Sequence, residues 1–492
     1  MRLAALLLFV LTTFALAVPA KARWLVAETK HFRVYSEGSE KGLRRVGDAL
    51  EGYWSLLQEV TGVTETEPQP RLDIYLLPDI RAMREILPDA TENIGGVYMT
   101  AGTKSLAIAL ETSGFSDSQS IQLLFHEVAH HFMFQNRMAA YPIWYVEGFA
   151  EYMETATIRD GRSTVGNVNP GTAYLLNTEP WVDATSFFTR KDIDSRDSDF
   201  EVFYAQSWLT VHYIFRNPAK AAGIRVFLEQ AIRGQGDAAA FRAAFGTDYA
   251  GFKAELRKYF GSSNITMTRY NRRGGGTATQ VDIQTLPPSA DDLLLAQARL
   301  RLGVPKADKA AFLDRIRRSG AKHPNDSFAR LVSAQAETDL GEEKTGMAML
   351  DALLATEPGN AELLTLRGVA ALDNNDTPTG RRLLARAHKL NPVDATPLFH
   401  HGMSFAANEA KPSANTLNVL RLAASLAPQS PNISMSTASV LLRAKLTDEA
   451  ISLLAPIANS PHSGAAPAAQ KMIDLARAGR TPEPVDLDVE AE

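Results

Sequence analysis

The sequence contains no cysteine in 492 residues. Disulfide bonds and anchoring through a lipid-modified cysteine are therefore excluded, so stability must come from packing and from any bound metal. The chain also lacks an excess of basic charge, because its formal net charge is −5 and its pI is about 6.1. This balance gives no reason to expect a nucleic-acid partner. Beyond the N-terminus, no stretch is long and apolar enough to cross a membrane.

The N-terminus has the pattern of a targeting signal. Arg2 precedes an apolar run over residues 3–18, and small residues follow that run. This order is typical of a secretory signal peptide, which predicts a mature chain that is periplasmic or secreted. Cleavage after Ala22 is favoured over cleavage after Ala17, and an uncleaved membrane anchor is the alternative.

The central motif is H-E-x-x-H at residues 126–130, in a segment whose apolar residues recur at helical spacing. Because residues four apart share one face of a helix, His126 and His130 can bind the same metal ion. Glu127 then points toward the open side of that ion, where it can act as a general base. The pattern is typical of zinc peptidases, although so short a motif also arises by chance in ordinary amphipathic helices.

A second segment can supply what this motif lacks. A catalytic zinc site needs a third protein ligand and one position for water. Glu147 follows His130 by 17 residues, which is enough for a turn and a returning helix. We therefore predict that His126, His130 and Glu147 bind Zn²⁺.

The H-E-x-x-H motif and the later segment W-x-x-E-G-F-A at residues 144–150 together resemble the gluzincin metallopeptidases, which include thermolysin-like enzymes and zinc aminopeptidases. The resemblance implies an α+β zincin-like domain, zinc as the cofactor and Glu147 as the third ligand. It also implies that Glu151 orients a zinc-binding histidine. The G-x-M-E-N segment with which aminopeptidases recognise a free amine is absent, and this absence favours an endopeptidase.

A peptidase also needs a group that stabilises the oxyanion. The resemblance implies a Tyr or His from a downstream helix, and the helix predicted at residues 200–215 carries both Tyr204 and His212. Tyr204 is the preferred candidate, with His212 as the alternative, and either residue could instead be an ordinary member of the core. His131 directly follows a ligand, points elsewhere on the helix and is expected to be structural.

Strands are predicted before the metal-binding helix. Alternating apolar residues indicate strands within residues 24–36, 71–77 and 94–110. We expect His31 to lie at the surface. Residues 94–110 are the candidate for an edge strand that binds an extended peptide by main-chain pairing, and ordinary sheet strands with no ligand role are the alternative. Residues 169–199 lack a period and are predicted to be mainly loop.

The second half of the chain is rich in alanine and leucine and has a repeat. Pro324, Pro358 and Pro392 are each 34 residues apart, and small residues lie at matching offsets. A period of 34 with two helices per repeat resembles the tetratricopeptide (TPR) pattern, in which small residues let the helices approach and proline ends the second helix. The repeats imply a protein partner or a protein substrate, and a non-repeating helical bundle is the alternative.

The predicted fold class is an α+β zincin-like metallopeptidase domain followed by an all-α TPR-like solenoid. The predicted organisation is a signal peptide at 1–22, the metallopeptidase domain at 23–260, a linker with a candidate hairpin at 261–289, the repeats at 290–477 and a disordered acidic tail at 478–492.

Three functions fit this organisation. The first is an exported zinc-dependent endopeptidase that uses Glu127 as general base and whose repeats bind a partner or the substrate. The second is a catalytically silent scaffold, and the third is a zinc amidase that acts on cell-wall material. The motif and the repeats favour the first.

Overall fold

The computed structural model describes residues 24–480 apart from 66, 93, 112–117, 137–138, 160–161, 195, 233–234, 263–264, 272–278 and 461–463. The predicted signal peptide and all but three residues of the predicted acidic tail lie outside the described residues. In the part of the chain that is described, no helix combines the length and the apolar character needed to cross a membrane.

The first region of the chain mixes strands and helices. In chain order the strands are β1 (Leu25–Glu28), β2 (Phe32–Ser36), β3 (Leu72–Leu77), β4 (Gly96–Ala101), β5 (Lys104–Leu110), β6 (Thr157–Arg159), β7 (Arg162–Val165), β8 (Thr268–Asn271) and β9 (Asp282–Thr285). The helices are α1 (Glu40–Thr61), α2 (Ile80–Ile86), α3 (Ser118–Asn136), α4 (Ile143–Glu154), α5 (Pro170–Thr178), α6 (Ala184–Thr189), α7 (Phe200–Arg216), α8 (Pro218–Ile232), α9 (Ala238–Phe245) and α10 (Tyr249–Phe260).

Six strands form the main sheet, in the order β4-β5-β3-β2-β1-β9. The pairs β2–β3 and β3–β5 are parallel, and the other three pairs are antiparallel. A two-residue turn at Gly102 joins β4 to β5, and the positive φ of 54° at this position suits glycine. β4 is therefore an edge strand, and α3 packs against β4 and β5.

The core of this region lies between the sheet and the helices. Phe32 and Ile74 of the sheet pack with Leu50 of α1 and with Phe125 and Val128 of α3, and all five are almost fully buried. This packing fixes which face of α3 points away from the core. The rotation of α3 is thus determined by core packing and not by the candidate site residues.

Close contact between α4 and α7 continues this packing. A methyl group at Gly148 of α4 would lie only 2.3 Å from the carbonyl oxygen of Ser207 in α7. Since that oxygen belongs to the backbone of a helix, it cannot move aside. Glycine at position 148 therefore sets the distance between the two helices.

Two segments differ from the predictions. The two strand pieces around the glycines of the predicted linker do not pair with each other: β8 pairs with β7 in a three-stranded sheet, and β9 pairs with β1 in the main sheet. Residues 169–199 contain the helices α5 and α6, which begin after side-chain caps at Asn169 and Asp183. Short helices with such caps need no long apolar period.

A long run of helices follows and is consistent with a TPR-like solenoid. The helices are α11 (Ala290–Leu302), α12 (Lys309–Ala321), α13 (Ser327–Leu340), α14 (Glu343–Thr356), α15 (Ala361–Asp373), α16 (Thr377–Leu390), α17 (Ala395–Ala406), α18 (Ala414–Leu426), α19 (Pro431–Arg443), α20 (Thr447–Ala458) and α21 (Ala466–Arg477). Each helix packs on the next along the chain.

The 34-residue period corresponds to repeated local structure. Each of the three regularly spaced prolines stands two residues before a capping residue, which is Asp326, Asn360 or Asp394. A methyl group at Gly380 of α16 would lie 2.9 Å from the carbonyl oxygen of Gly368 in α15. Small residues thus allow close helix pairs, as the repeat predicted.

Non-covalent contacts join the solenoid to the sheet region in addition to the polypeptide backbone. Leu294 of α11 is buried in one cluster with Tyr75 of β3. Arg301, near the end of α11, donates to Asp73 at 3.2 Å and to Glu362 at 2.9 Å. The first helix of the run therefore belongs to the core of the first region as well as to the solenoid.

We expect Gly148→Ala to lower the free energy of unfolding of the first region by about 1–3 kcal/mol, because the added methyl group overpacks the α4–α7 contact. Urea unfolding followed by tryptophan fluorescence reports on this region, since all five tryptophans precede residue 261. Gly359→Ala is the control, since nothing lies within 4 Å of its added methyl group. Equal transitions in the two variants would contradict the close approach.

Candidate metal centre

α3 places two imidazole rings side by side. The Nε2 atoms of His126 and His130 are 3.1 Å apart. The side chains are 13% and 7% exposed, so both rings are largely shielded from water. Because the opposite face of α3 is held in the core, the two rings converge on one point next to α4.

Glu147 of α4 completes a triangle of possible ligand atoms. Its Oε2 lies 3.8 Å from Nε2 of His126 and 3.7 Å from Nε2 of His130. Ligand atoms around a tetrahedral zinc ion with bonds of about 2.0–2.1 Å are about 3.3 Å apart. The observed separations lie on both sides of that value. The three residues therefore fit a zinc ion without a change of helix positions.

The second ring nitrogen of His126 faces the next turns of α4. Oε2 of Glu154 lies 3.2 Å from Nδ1 of His126, whereas Oε1 of Glu151 lies 3.7 Å away. A hydrogen bond from Nδ1–H to a carboxylate orients the ring and leaves the lone pair of Nε2 for a metal. The resemblance implied Glu151 for this role, but Glu154 makes the hydrogen bond, with Glu151 beside it.

Glu154 was missed in the sequence, although a signal for it was present. It lies seven residues after Glu147 and three after Glu151, so all three share one face of α4. Among the described residues, two groups place possible ligand atoms within 4.8 Å of one another, and these carboxylates and the two histidines make up both groups.

The electrostatics of the site favour a cation. Burial lowers the pKa of His126, but hydrogen bonds to Glu147 and Glu154 outweigh burial and leave the pKa well above its usual value. Burial and repulsion by Glu154 raise the pKa of Glu151 to about 8. Both shifts have the same origin, which is a concentration of carboxylates in a space shielded from water. A divalent cation between the ligand atoms would offset that charge.

The side chain of Glu127 extends from α3 toward the edge strand β4. A methyl group at Gly96 of β4 would lie 3.6 Å from both Cγ and Oε1 of Glu127. The missing side chain at position 96 thus leaves room for the carboxylate next to β4. The predicted general base is therefore adjacent to the strand that was predicted to pair with a peptide.

The structure places the two candidate oxyanion stabilisers in different surroundings. Tyr204 hydrogen-bonds to Glu147, and burial together with that carboxylate raises its pKa well above the usual value. His212 is fully buried, with Nε2 3.1 Å from the carbonyl oxygen of Gly166 and Nδ1 2.9 Å from the hydroxyl of Tyr259. Tyr204 therefore belongs to the site, whereas His212 is a hydrogen-bonded core residue.

Two other histidines are buried outside the site. His131 lies 3.2 Å from the hydroxyl of Tyr98, and burial lowers its pKa to about 3, so it is neutral. His31 was expected at the surface, but its Nδ1 lies 2.6 Å from Glu51 and its ring stacks on Trp54. That expectation was wrong because the partners of His31 come from α1 and not from its own strand.

Comparisons with known proteins add little to this geometry. No protein-family model matches the sequence, and no curated protein matches it. Among solved structures, the chain is similar to the crystal structure of yeast Tom70, with a TM-score of 0.32 and 13% sequence identity. The match covers 68% of this chain and 63% of the Tom70 chain, so the chain spans less than two thirds of that protein.

We expect Glu154→Gln to weaken zinc binding about 10–100-fold, because a neutral amide is a poorer acceptor for Nδ1–H of His126. Glu151→Gln should have a smaller effect, since Glu151 is farther from the ring. Competition with a chromophoric zinc chelator measures both affinities. Glu229→Gln, at an exposed position of α8, is the control. A loss confined to Glu151→Gln would instead support the assignment implied by the resemblance.

Proposed function

We propose that the chain is an exported zinc-dependent endopeptidase in which His126, His130 and Glu147 bind Zn²⁺. The observation that carries the proposal is the convergence of three ligand atoms, 3.1 to 3.8 Å apart, next to Glu127. The position of α3 beside the edge strand β4 supports a gluzincin-like assignment for the first region.

The residues around the site have distinct roles in this proposal. Zinc, when bound, supplies a Lewis acid that polarises a carbonyl oxygen and lowers the pKa of water. Glu127 accepts a proton from the attacking water and delivers it to the leaving amine. Tyr204 keeps its proton because its pKa is raised, so its hydroxyl can donate a hydrogen bond to the oxyanion. Glu154 holds His126 in the tautomer that a metal requires.

The edge strand supports a peptide as substrate. β4 pairs with β5 on one side, and Gly96 on β4 is adjacent to Glu127. An extended peptide that paired with the outer side of β4 would carry its carbonyl groups past the general base. This arrangement favours an endopeptidase over the cell-wall amidase, because regular main-chain pairing requires a run of peptide bonds.

The solenoid supplies a surface for a protein. A cavity of about 310 Å³ lies between the solenoid and the β4–β5 turn. Its lining includes Asp339 and Asp373 of the solenoid together with Lys104 of β5. We propose that the solenoid binds a protein partner or part of the substrate, outside the cytoplasm as the N-terminal signal predicts.

A catalytically silent scaffold is the second candidate. The observation that favours it is the extent of the solenoid, which includes the helices α11 to α21. Repeat arrays of this kind present extended binding surfaces without any chemistry. A scaffold and a peptidase differ in whether zinc is bound and whether peptides are cleaved.

We expect Glu127→Gln to keep one zinc per chain and to abolish cleavage of a mixed peptide library, because an amide cannot accept the proton of water. Metal analysis of the purified chain and mass spectrometry of the cleaved library are the measurements. Glu229→Gln serves as the control and should cleave like the wild type. A folded wild-type chain without zinc, or with zinc and no cleavage, would favour the scaffold.

We expect Tyr204→Phe to lower kcat about 10²–10³-fold, because removal of one oxyanion donor costs that much in comparable sites. KM should change little, since the ring remains. Tyr213→Phe is a matched control on the same helix, because the hydroxyl of Tyr213 donates to Glu255 away from the site. Equal kcat values for the two variants would exclude Tyr204 as the oxyanion donor.

A further inference from the structure

One loop of the solenoid contacts both elements that flank the candidate site. We define the docking loop as residues 426–430, which are the last residue of α18 and the connection to α19. The carbonyl oxygen of Leu426 accepts a hydrogen bond from Gln135 of α3 at 3.2 Å. Gln429 donates to Ser105 of β5 at 2.7 Å, and Ser430 donates to the carbonyl oxygen of Gly102 in the β4–β5 turn. The metal-binding helix and the edge hairpin are thus held by the same loop.

These hydrogen bonds continue toward the site. The hydroxyl of Tyr98 on β4 donates to Ser105 at 3.0 Å and lies 3.2 Å from Nδ1 of His131. His131 directly follows the candidate ligand His130 in α3. Gln429 is 9% exposed, Ser105 8% and His131 3%, and Tyr98 is partly buried, so most of the connection is shielded from water. A continuous polar path therefore leads from the docking loop through β4 to the metal-binding helix.

Each hydrogen bond along this path can have one donor and one acceptor at the same time. If Tyr98 donates to Ser105, its oxygen is left to accept a hydrogen bond from Nδ1–H of His131. The imidazole of His131 can carry an N–H on Nδ1, which completes this pattern. Buried hydrogen bonds fix distance and direction in a way that apolar contacts do not. The path therefore holds β4 at a set distance from α3.

The position of β4 matters for the site. Tyr98 lies two residues after Gly96, the residue of β4 that is adjacent to Glu127. A shift or rotation of β4 would move the strand relative to the general base. Pairing of an extended peptide with β4 depends most on that geometry, because a displaced strand holds the peptide less tightly and less well aligned with the general base.

We propose that Gln429 and Tyr98 are positioning residues, through which the solenoid sets the distance between the edge strand β4 and the metal-binding helix α3. In its catalytic consequence this inference rests on the proposed peptidase function. Its structural content, that a solenoid side chain controls the order of β4, stands on the hydrogen bonds alone. The two parts need separate readouts.

The test compares Gln429→Ala and Tyr98→Phe with the wild type in the full chain. Both variants should keep one zinc per chain and should raise KM for extended peptides about tenfold, with kcat changed less, as expected for the loss of one buried hydrogen bond. Hydrogen exchange of the amides of β4 should become faster, while that of β3 stays unchanged. Gln470→Ala is the control, because Gln470 is exposed and donates to Asp474 within α21.

The outcomes are distinguishable. Wild-type values of KM and of β4 exchange in Tyr98→Phe would overturn the proposal. Because Tyr98→Phe keeps the aromatic ring, it still provides the test if Gln429→Ala does not fold. If the wild type cleaves no peptide, the peptidase function fails, and exchange alone decides the positioning role. Faster exchange confined to β4 would then support it, and unchanged exchange would overturn it.

Discussion

The convergence of two rings and one carboxylate depends on a packing constraint that lies outside the site. Glu147 lies next to His126 and His130 on a helix that packs closely against α7 at Gly148, where the backbone of Ser207 leaves no room for a side chain. The same contact brings α7, and with it Tyr204, to the candidate metal position. The close approach thus positions the carboxylate ligand and Tyr204, whereas the rotation of α3 is set by its own packing in the core.

The parts of the site that depend on short-range helix geometry could be predicted from the sequence. A spacing of four residues determines that His126 and His130 share a face, whatever the rest of the fold does. The choice between Glu151 and Glu154 was not accessible in this way. Both lie on the same face of α4, and the choice is made by the rotation of α4 and the rotamers of the two side chains.

Two of the errors in the fold share one physical origin, which is pairing over long distances along the chain. His31 looked like a surface residue because its partner Glu51 is 20 residues away. The two pieces around the glycines looked like a hairpin because they are neighbours in sequence. Instead, β8 pairs with β7 and β9 pairs with β1, and both partner strands come much earlier in the chain. The repeats were predictable, by contrast, since each proline and its capping residue act within a few positions.

The pairing of β1 with β9 has a consequence for how the chain must fold. Leu25 lies opposite Thr285 in the antiparallel pair, so the outer strand of the main sheet comes from the end of the segment that looked like a linker. The sheet cannot be completed until nearly three fifths of the polypeptide is available. Loop closure of this length is slow and exposes the edge of β1 in the meantime. A chain ending at residue 260 would carry every candidate catalytic residue and still lack a finished fold.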